Sequence, residues 1–121
     1  MKHRVAGRTL GRERSQRKAL IKTLLGSLIM HEKITTTEAK AKEVKHFIDQ
    51  VVNKAKEART NDTRKVALLR QLNQEVPAMA AKKMLGEFSE RFESRASGYV
   101  RVVGLEARKS DGARMAIIEF V

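Results

Sequence analysis

Tyr99-Val100-Arg101-Val102-Val103-Gly104-Leu105, followed beyond Asp111-Gly112 by Met115-Ala116-Ile117-Ile118-Glu119-Phe120-Val121, is the stretch that decides the fold. In the first run Val100 and Val102 fall to one face and Tyr99, Arg101 and Val103 to the other, the period of two that marks a half-buried strand. The second run is β-rich, and the Asp-Gly pair between them supplies a turn, so the two read as a hairpin. Everything upstream has a helical period instead. A chain that runs helices first and then a hairpin is α+β: about four helices packed on a small three-stranded mixed sheet, with the third strand supplied from earlier in the chain.

That third strand is expected at His31–Thr35, with Ile34 its buried member. It stands between two helices. The first is expected over 15–30, with Ser15 as N-cap and Ala19, Leu20, Leu24, Leu28 and Ile29 on its core face. Gly26 lies inside it at a cost of about 1 kcal/mol relative to Ala, which either serves a close approach of another segment or serves nothing. The second helix is expected over 37–58, capped by Thr35 against Glu38 or by a neighbouring threonine. Ala41, Val44, Ile48, Val51, Val52 and Ala55 form its stripe, with Phe47 at the edge. Its mixed polar face (Lys40, Lys42, Lys45, Lys54 and Lys56 among Glu43, Asp49 and Glu57) reads as a solvated surface, with RNA contact as the alternative. A third helix over 63–73 would be capped by Asp62 and turn Val66, Leu69 and Leu72 inward. A fourth would hold Pro77 in its first turn, bury Met79, Met84 and Leu85, and end at Gly86.

The 121 residues suit one domain, with the globular part over 15–121 and an extended basic arm over 1–14. Charge is distributed very unevenly. Lys2, Arg4, Arg8, Arg12, Arg14, Arg17, Lys18 and Lys22 stand against Glu13 alone in the first 22 residues, more than half of the net +12. A polycation of that density repels itself unless a polyanion accepts it, and nucleic acid, whose neutralised phosphates release condensed counterions, is the simplest acceptor. A solvated tail and an organellar transit peptide share this composition. The segment has no apolar helical face before Ala19, however, and runs straight into a helix the core requires.

Several chemistries are excluded by composition. Without cysteine there is no disulfide, thiolate zinc site or Cys nucleophile. His3, His31 and His46 are scattered and no H-E-x-x-H occurs, so no metal site is expected. No apolar run approaches the ~20 residues that span a bilayer. There is no nucleophile elbow and no phosphate loop. Glu87, Glu90 and Glu93 lie three apart among Arg91 and Arg95, a pattern of helix-surface ion pairing. With aromatics at 4 %, base stacking on an aromatic platform is not the main mode of binding. One late constellation suits RNA: Arg91 and Arg95 one turn apart, then Gly98, then Tyr99 and Arg101 on one strand face. Arginine grips phosphate bidentately, and Arg or Tyr can stack on an unpaired base. An Arg–Glu surface network beside a core tyrosine would show the same spacing.

Taken in order, these segments resemble the bacterial large-subunit ribosomal protein seventeen family. The similarity runs through Met1-Lys2-His3-Arg4, Leu10-Gly11-Arg12 and Ser15-Gln16-Arg17-Lys18-Ala19-Leu20. It continues through Ser27-Leu28, His31-Glu32-Lys33-Ile34, Thr36-Thr37 and Ala39-Lys40-Ala41-Lys42-Glu43, and closes with Arg91-Phe92, Arg95, Gly98-Tyr99-Val100-Arg101 and Met115-Ala116-Ile117-Ile118-Glu119. Departures are Gln16 where the family usually has His, Thr23 where Asn is common, Ser97 in place of a second glycine, and Glu87–Glu90 in place of a Gly-Pro turn. The resemblance implies a cytoplasmic, non-catalytic constituent of the large ribosomal subunit near the outer opening of the peptide exit tunnel. Its partners would be large-subunit ribosomal RNA and neighbouring ribosomal proteins, with no cofactor, metal, membrane, small-molecule substrate or obligate self-association. The expected RNA-binding residues are Lys2, His3, Arg4, Arg8, Arg12, Arg14, Arg17, Lys18, Lys22, Arg91, Arg95, Tyr99 and Arg101. A small DNA-binding or nucleoid protein would share the basic arm but should show a short helix-turn-helix or a dimerisation stripe. An RNA-processing enzyme would need an acid–base or metal constellation.

Overall fold

The computed structural model describes residues 13–121. Its elements run α1 (Arg14–His31), β1 (Lys33–Thr37), α2 (Glu38–Thr60), α3 (Lys65–Glu75), α4 (Ala78–Leu85), a 3-10 turn (Glu87–Phe92), β2 (Val100–Ala107) and β3 (Arg114–Phe120). The fold is α+β, four helices on a three-stranded sheet.

The hairpin forms as its alternation requires, and Gly112 takes the left-handed turn conformation at φ +69°. Strand order is β1-β3-β2, and both pairings are antiparallel. The expected mixed sheet is therefore corrected. The hairpin's second strand pairs with β1, so each neighbouring pair runs in opposite directions and no parallel pair arises. Ile34, Ile118 and Val102 sit opposite one another across the three strands. Ile118 is buried, and Ile34 and Val102 pack against the same core. β1 begins later than expected and extends through Thr35, Thr36 and Thr37, β-branched residues that suit a pleated strand. Thr35 is thus paired with Ile117 and cannot cap α2, whose N-cap is Thr37 with no side-chain bond.

All six residues of the expected α2 stripe are buried, which makes this 23-residue helix the spine of the core. The face of α1 is corrected. Ile21, Leu25, Leu28 and Ile29 are buried, whereas Ala19 is exposed and Leu20 and Leu24 are only half-buried. Apolar residues fill a broad arc of this helix, and the stripe nearer Ile21 is the one that α2 and α4 cover. Ser15 lies inside the first turn, and the N-cap is Glu13. Gly26 serves a close approach: a Cβ there would stand 2.7 Å from both Cδ and Cγ of Pro77. Pro77 is itself the N-cap of α4 and Gly86 its C-cap.

The short helices are shifted relative to expectation. α3 starts at Lys65 after an Arg64 N-cap, so Asp62 caps nothing, and Leu68 and Leu72 turn inward. Val66 is 61 % exposed. In α4 Ala80, Ala81 and Met84 are buried while Met79 points outward at 68 %. Four of the five aromatic rings, Phe88, Phe92, Tyr99 and Phe120, form one cluster with centroids 4.9–5.5 Å apart. This cluster pins the irregular segment between the 3-10 turn and β2 against the core.

Candidate RNA interface

The polar face of α2 is not simply solvated: its later half is a bracket. Asp49 accepts bonds from the backbone N–H groups of Gly98 (3.3 Å) and Tyr99 (3.4 Å). The Tyr99 hydroxyl lies 2.6 Å from Asn53 Oδ1 and 2.9 Å from the Arg95 carbonyl. Lys56 Nζ donates to the carbonyls of Phe92 (2.8 Å) and Arg95 (2.5 Å) and to the Tyr99 hydroxyl (3.2 Å). Arg59 reaches Ser89 at 3.1 Å and pairs with Glu90 and Glu93. Asp49, Asn53 and Lys56 recur at helical spacing, so one edge of α2 engages backbone groups of Phe92, Arg95, Gly98 and Tyr99 and the Tyr99 hydroxyl.

Two expectations are corrected by this arrangement. Tyr99 is fully buried, at the mouth of the aromatic cluster, and its hydroxyl is occupied within the protein. It shares no face with exposed Arg101 and offers no ring surface for a base. Glu90 and Glu93 pair with Arg59 of α2, and Arg91 pairs with Glu32, so this ion pairing is tertiary and not along one helix.

Arg91 lies over the rings of Phe88 and Phe92, with its guanidinium bonded to Glu32. Glu32 occupies the C-cap of α1 at φ 64°, a left-handed position uncommon for a side-chain-bearing residue. Lys83 meets the same carboxylate at 3.3 Å. The bond from Arg91 is the main reason this carboxyl is held below its ordinary range, with Lys83 adding and burial opposing. Arg101 donates to Glu119 at 2.8 Å from the opposite position on β3, and Lys33 approaches that carboxylate from β1 at 3.9 Å. Arg95 is exposed, and no ion pair involves it among the described residues. The structure therefore spreads Arg91, Arg95 and Arg101 over a 3-10 turn, a loop and a strand. Arg91 and Arg101 remain exposed, and surface ion pairs worth about 0–1 kcal/mol yield readily to a phosphate.

On α1 the picture differs. Arg14, Lys18 and Lys22 follow one another at four-residue steps, about 6 Å along the axis. None has an ion pair among the described residues. Arg17 stands 3.7 Å from Glu43, which is 1 % exposed. No acid occupies the first turn of α1, where Arg14 and Arg17 oppose the helix dipole, although Glu13 precedes them at the N-cap. Lys2, His3, Arg4, Arg8 and Arg12 lie outside the described residues. The residues unforeseen from sequence are the bracket (Asp49, Asn53, Lys56, Arg59) and the Glu32 junction. The sequence put Asp49 and Lys56 on the polar face of this helix, without Asn53 or Arg59, and nothing local showed what they would meet. Among the described residues no three His, Cys, Asp or Glu side chains are placed to hold a metal ion, and no helix is long and apolar enough to cross a membrane.

Comparison with known proteins decides the family. A model described as Ribosomal protein L17 matches residues 20–121. The chain belongs to the ribosomal protein L17 family. A large ribosomal subunit protein bL17 of Thermodesulfovibrio yellowstonii is 45 % identical over 121 residues, covering 100 % of this chain and 87 % of the relative. Its counterpart in Thermotoga maritima is 40 % identical over 124 residues, covering 100 % and 95 %. That of Anaeromyxobacter sp. is 41 % identical over 121 residues, covering 100 % and 73 %. Membership of the L17 family makes the chain a structural protein of the large ribosomal subunit. The four helices and antiparallel sheet described above are the scaffold of this L17-family chain.

Proposed function

We propose that the chain anchors large-subunit ribosomal RNA through its basic N-terminal segment, near the outer opening of the peptide exit tunnel and beside neighbouring ribosomal proteins, in the cytoplasm. The arm over 1–14 (Lys2, His3, Arg4, Arg8, Arg12 and Arg14) and the start of α1 (Arg17, Lys18 and Lys22) meet phosphates. Arg91, Arg95 and Arg101 form a secondary contact. The protein works as a monomeric building block and carries out no reaction; it uses no cofactor.

One observation carries this reading: Arg14, Lys18 and Lys22 form a row of like charges at four-residue steps with no acidic partner among the described residues. Elsewhere Lys54, Lys56, Arg59 and Lys83 are each held by groups of the fold. Like charges four residues apart on a helix repel one another, a cost that is understandable if a polyanion offsets it. Folded RNA presents converging phosphates, and recognition would follow its shape more than its bases.

The test is the salt dependence of binding to a large-subunit RNA transcript. Eight phosphate contacts give a slope of log affinity on log salt of about −6 to −7. Deletion of residues 1–14 should flatten it by several units, and an unchanged slope would refute the anchor. Stronger binding to duplex DNA than to the transcript would favour a nucleoid role instead. Cross-linking from the globular surface to chains emerging from the tunnel tests the location.

A further inference from the structure

Beside the Arg14–Lys18–Lys22 row runs a groove of about 500 Å³ between the N-terminal half of α1, the middle of α2 and the end of α3. That volume falls within the roughly 300–1,000 Å³ of sites that hold a small planar ligand. Buried Ile21, Leu25 and Val51 contribute to its lining, together with the half-buried ring of Phe47. Gln50 of α2 and Gln74 of α3, both exposed, border it. Glu75 borders it too, with its carboxylate tied to Lys54.

The three kinds of lining match the phosphates of a strand and the flat face and the edge of a base. Cations at steps of about 6 Å suit successive phosphates of one strand. An apolar surface with an aromatic ring suits the flat face of a base. Side-chain amides, each with a donor and an acceptor, suit a base edge. A helical stem would offer this groove only its backbone, because paired bases are not presented singly. An apolar peptide would leave the cation row unanswered. We propose that the groove receives one unstacked base of the ribosomal RNA strand whose phosphates follow Arg14, Lys18 and Lys22. The inference rests on the RNA-anchoring reading above and adds a base-reading contact to it.

The experiment uses the full chain and a transcript of large-subunit RNA, with affinity measured across salt and all four bases mapped by base-specific chemical probes. The double variant Gln50→Ala, Gln74→Ala alters exposed side chains only, and circular dichroism checks its fold. It should bind about tenfold more weakly at unchanged salt slope, and one base protected by the unmodified protein should become reactive. Lys18→Ala should instead flatten the slope by about one while that base stays protected. Unchanged affinity and an unchanged protection map in the double variant would overturn the groove site. So would displacement of the contact by an acidic, apolar peptide with no base protected. If the unmodified chain fails to bind the transcript, the anchoring reading itself falls, an outcome separable from loss of the groove alone.

Discussion

Gly26 and Pro77 allow a prediction whose sign depends on geometry. In an exposed helix interior, Gly→Ala stabilises by about 1 kcal/mol. At position 26 the added Cβ would lie 2.7 Å from two atoms of the Pro77 ring. A proline ring cannot swing aside like a flexible chain, and Pro77 also sets the start of α4. Relieving the overlap must part α1 from α4, and overpacking of this kind costs about 1–3 kcal/mol. The helix gain offsets part of that, leaving Gly26→Ala destabilising by about 0–2 kcal/mol. In a Pro77→Ala background the two ring atoms are gone and the remaining Cβ is 3.8 Å away, an ordinary contact. There Gly26→Ala should stabilise by up to about 1 kcal/mol. Urea denaturation of the four proteins closes a double-mutant cycle with a coupling of about 1–3 kcal/mol. A Gly26→Ala variant more stable than the parent, or a coupling near zero, would refute the close-approach account.

Other expectations test the junctions around the interface. Lys56→Met keeps the aliphatic stem and loses three charge-assisted bonds; because each acceptor keeps a second partner, the cost should be about 2–4 kcal/mol, with faster amide exchange over residues 93–99. If the variant is as stable as the parent but its RNA salt slope flattens by about one, Lys56 is a phosphate ligand and not a bracket. Glu32→Gly loses the pairs with Arg91 and Lys83 but relieves the left-handed backbone, so it should stay within about 1 kcal/mol of the parent. Glu32→Ala keeps the strain and should be about 1 kcal/mol less stable than the glycine variant by thermal denaturation; equal stability would argue against strain at this cap. The Arg108 guanidinium and then the Ala113 N–H hold Asp111 down to about 2 from 3.8. A lowered pKa stabilises the fold above the ordinary value, and that contribution fades as pH falls through about 2. A carboxyl NMR titration should show this midpoint, and Arg108→Met should raise it without restoring 3.8 fully.

Legibility in the sequence followed how many apolar stripes each segment offers. The α2 stripe was readable because its apolar residues form a single stripe among charged ones, and the hairpin because alternation and Asp111-Gly112 agreed. The face of α1 was not, because Leu20, Ile21, Leu24, Leu25, Leu28 and Ile29 offer two neighbouring stripes and only the packing of α2 and α4 selects one. Val66 and Met79 misled for a related reason: on helices of 11 and 8 residues the buried stripe is narrow, and Leu68 and Leu72, or Ala80, Ala81 and Met84, fill it without them. At the interface, the charge of α1 was readable from composition. The burial of Tyr99 was not, since its phenol is engaged by residues 46 and 43 positions earlier. Alternation placed it beside Arg101, but it precedes β2 and answers to the aromatic cluster instead of the pleat.

The α2 bracket has a consequence for the order of events in subunit assembly. The carbonyls of Phe92 and Arg95, the amides of Gly98 and Tyr99, the Tyr99 phenol and the Ser89 hydroxyl are engaged by Asp49, Asn53, Lys56 and Arg59, all within the chain. Their conformational entropy is surrendered when the protein folds, before RNA arrives. If the proposed RNA contact holds, docking would begin with the backbone that carries Arg91 and Arg95 already in place. Such a segment would be a template against which RNA is sorted: a misfolded RNA segment would meet a backbone that does not adapt, and would dissociate.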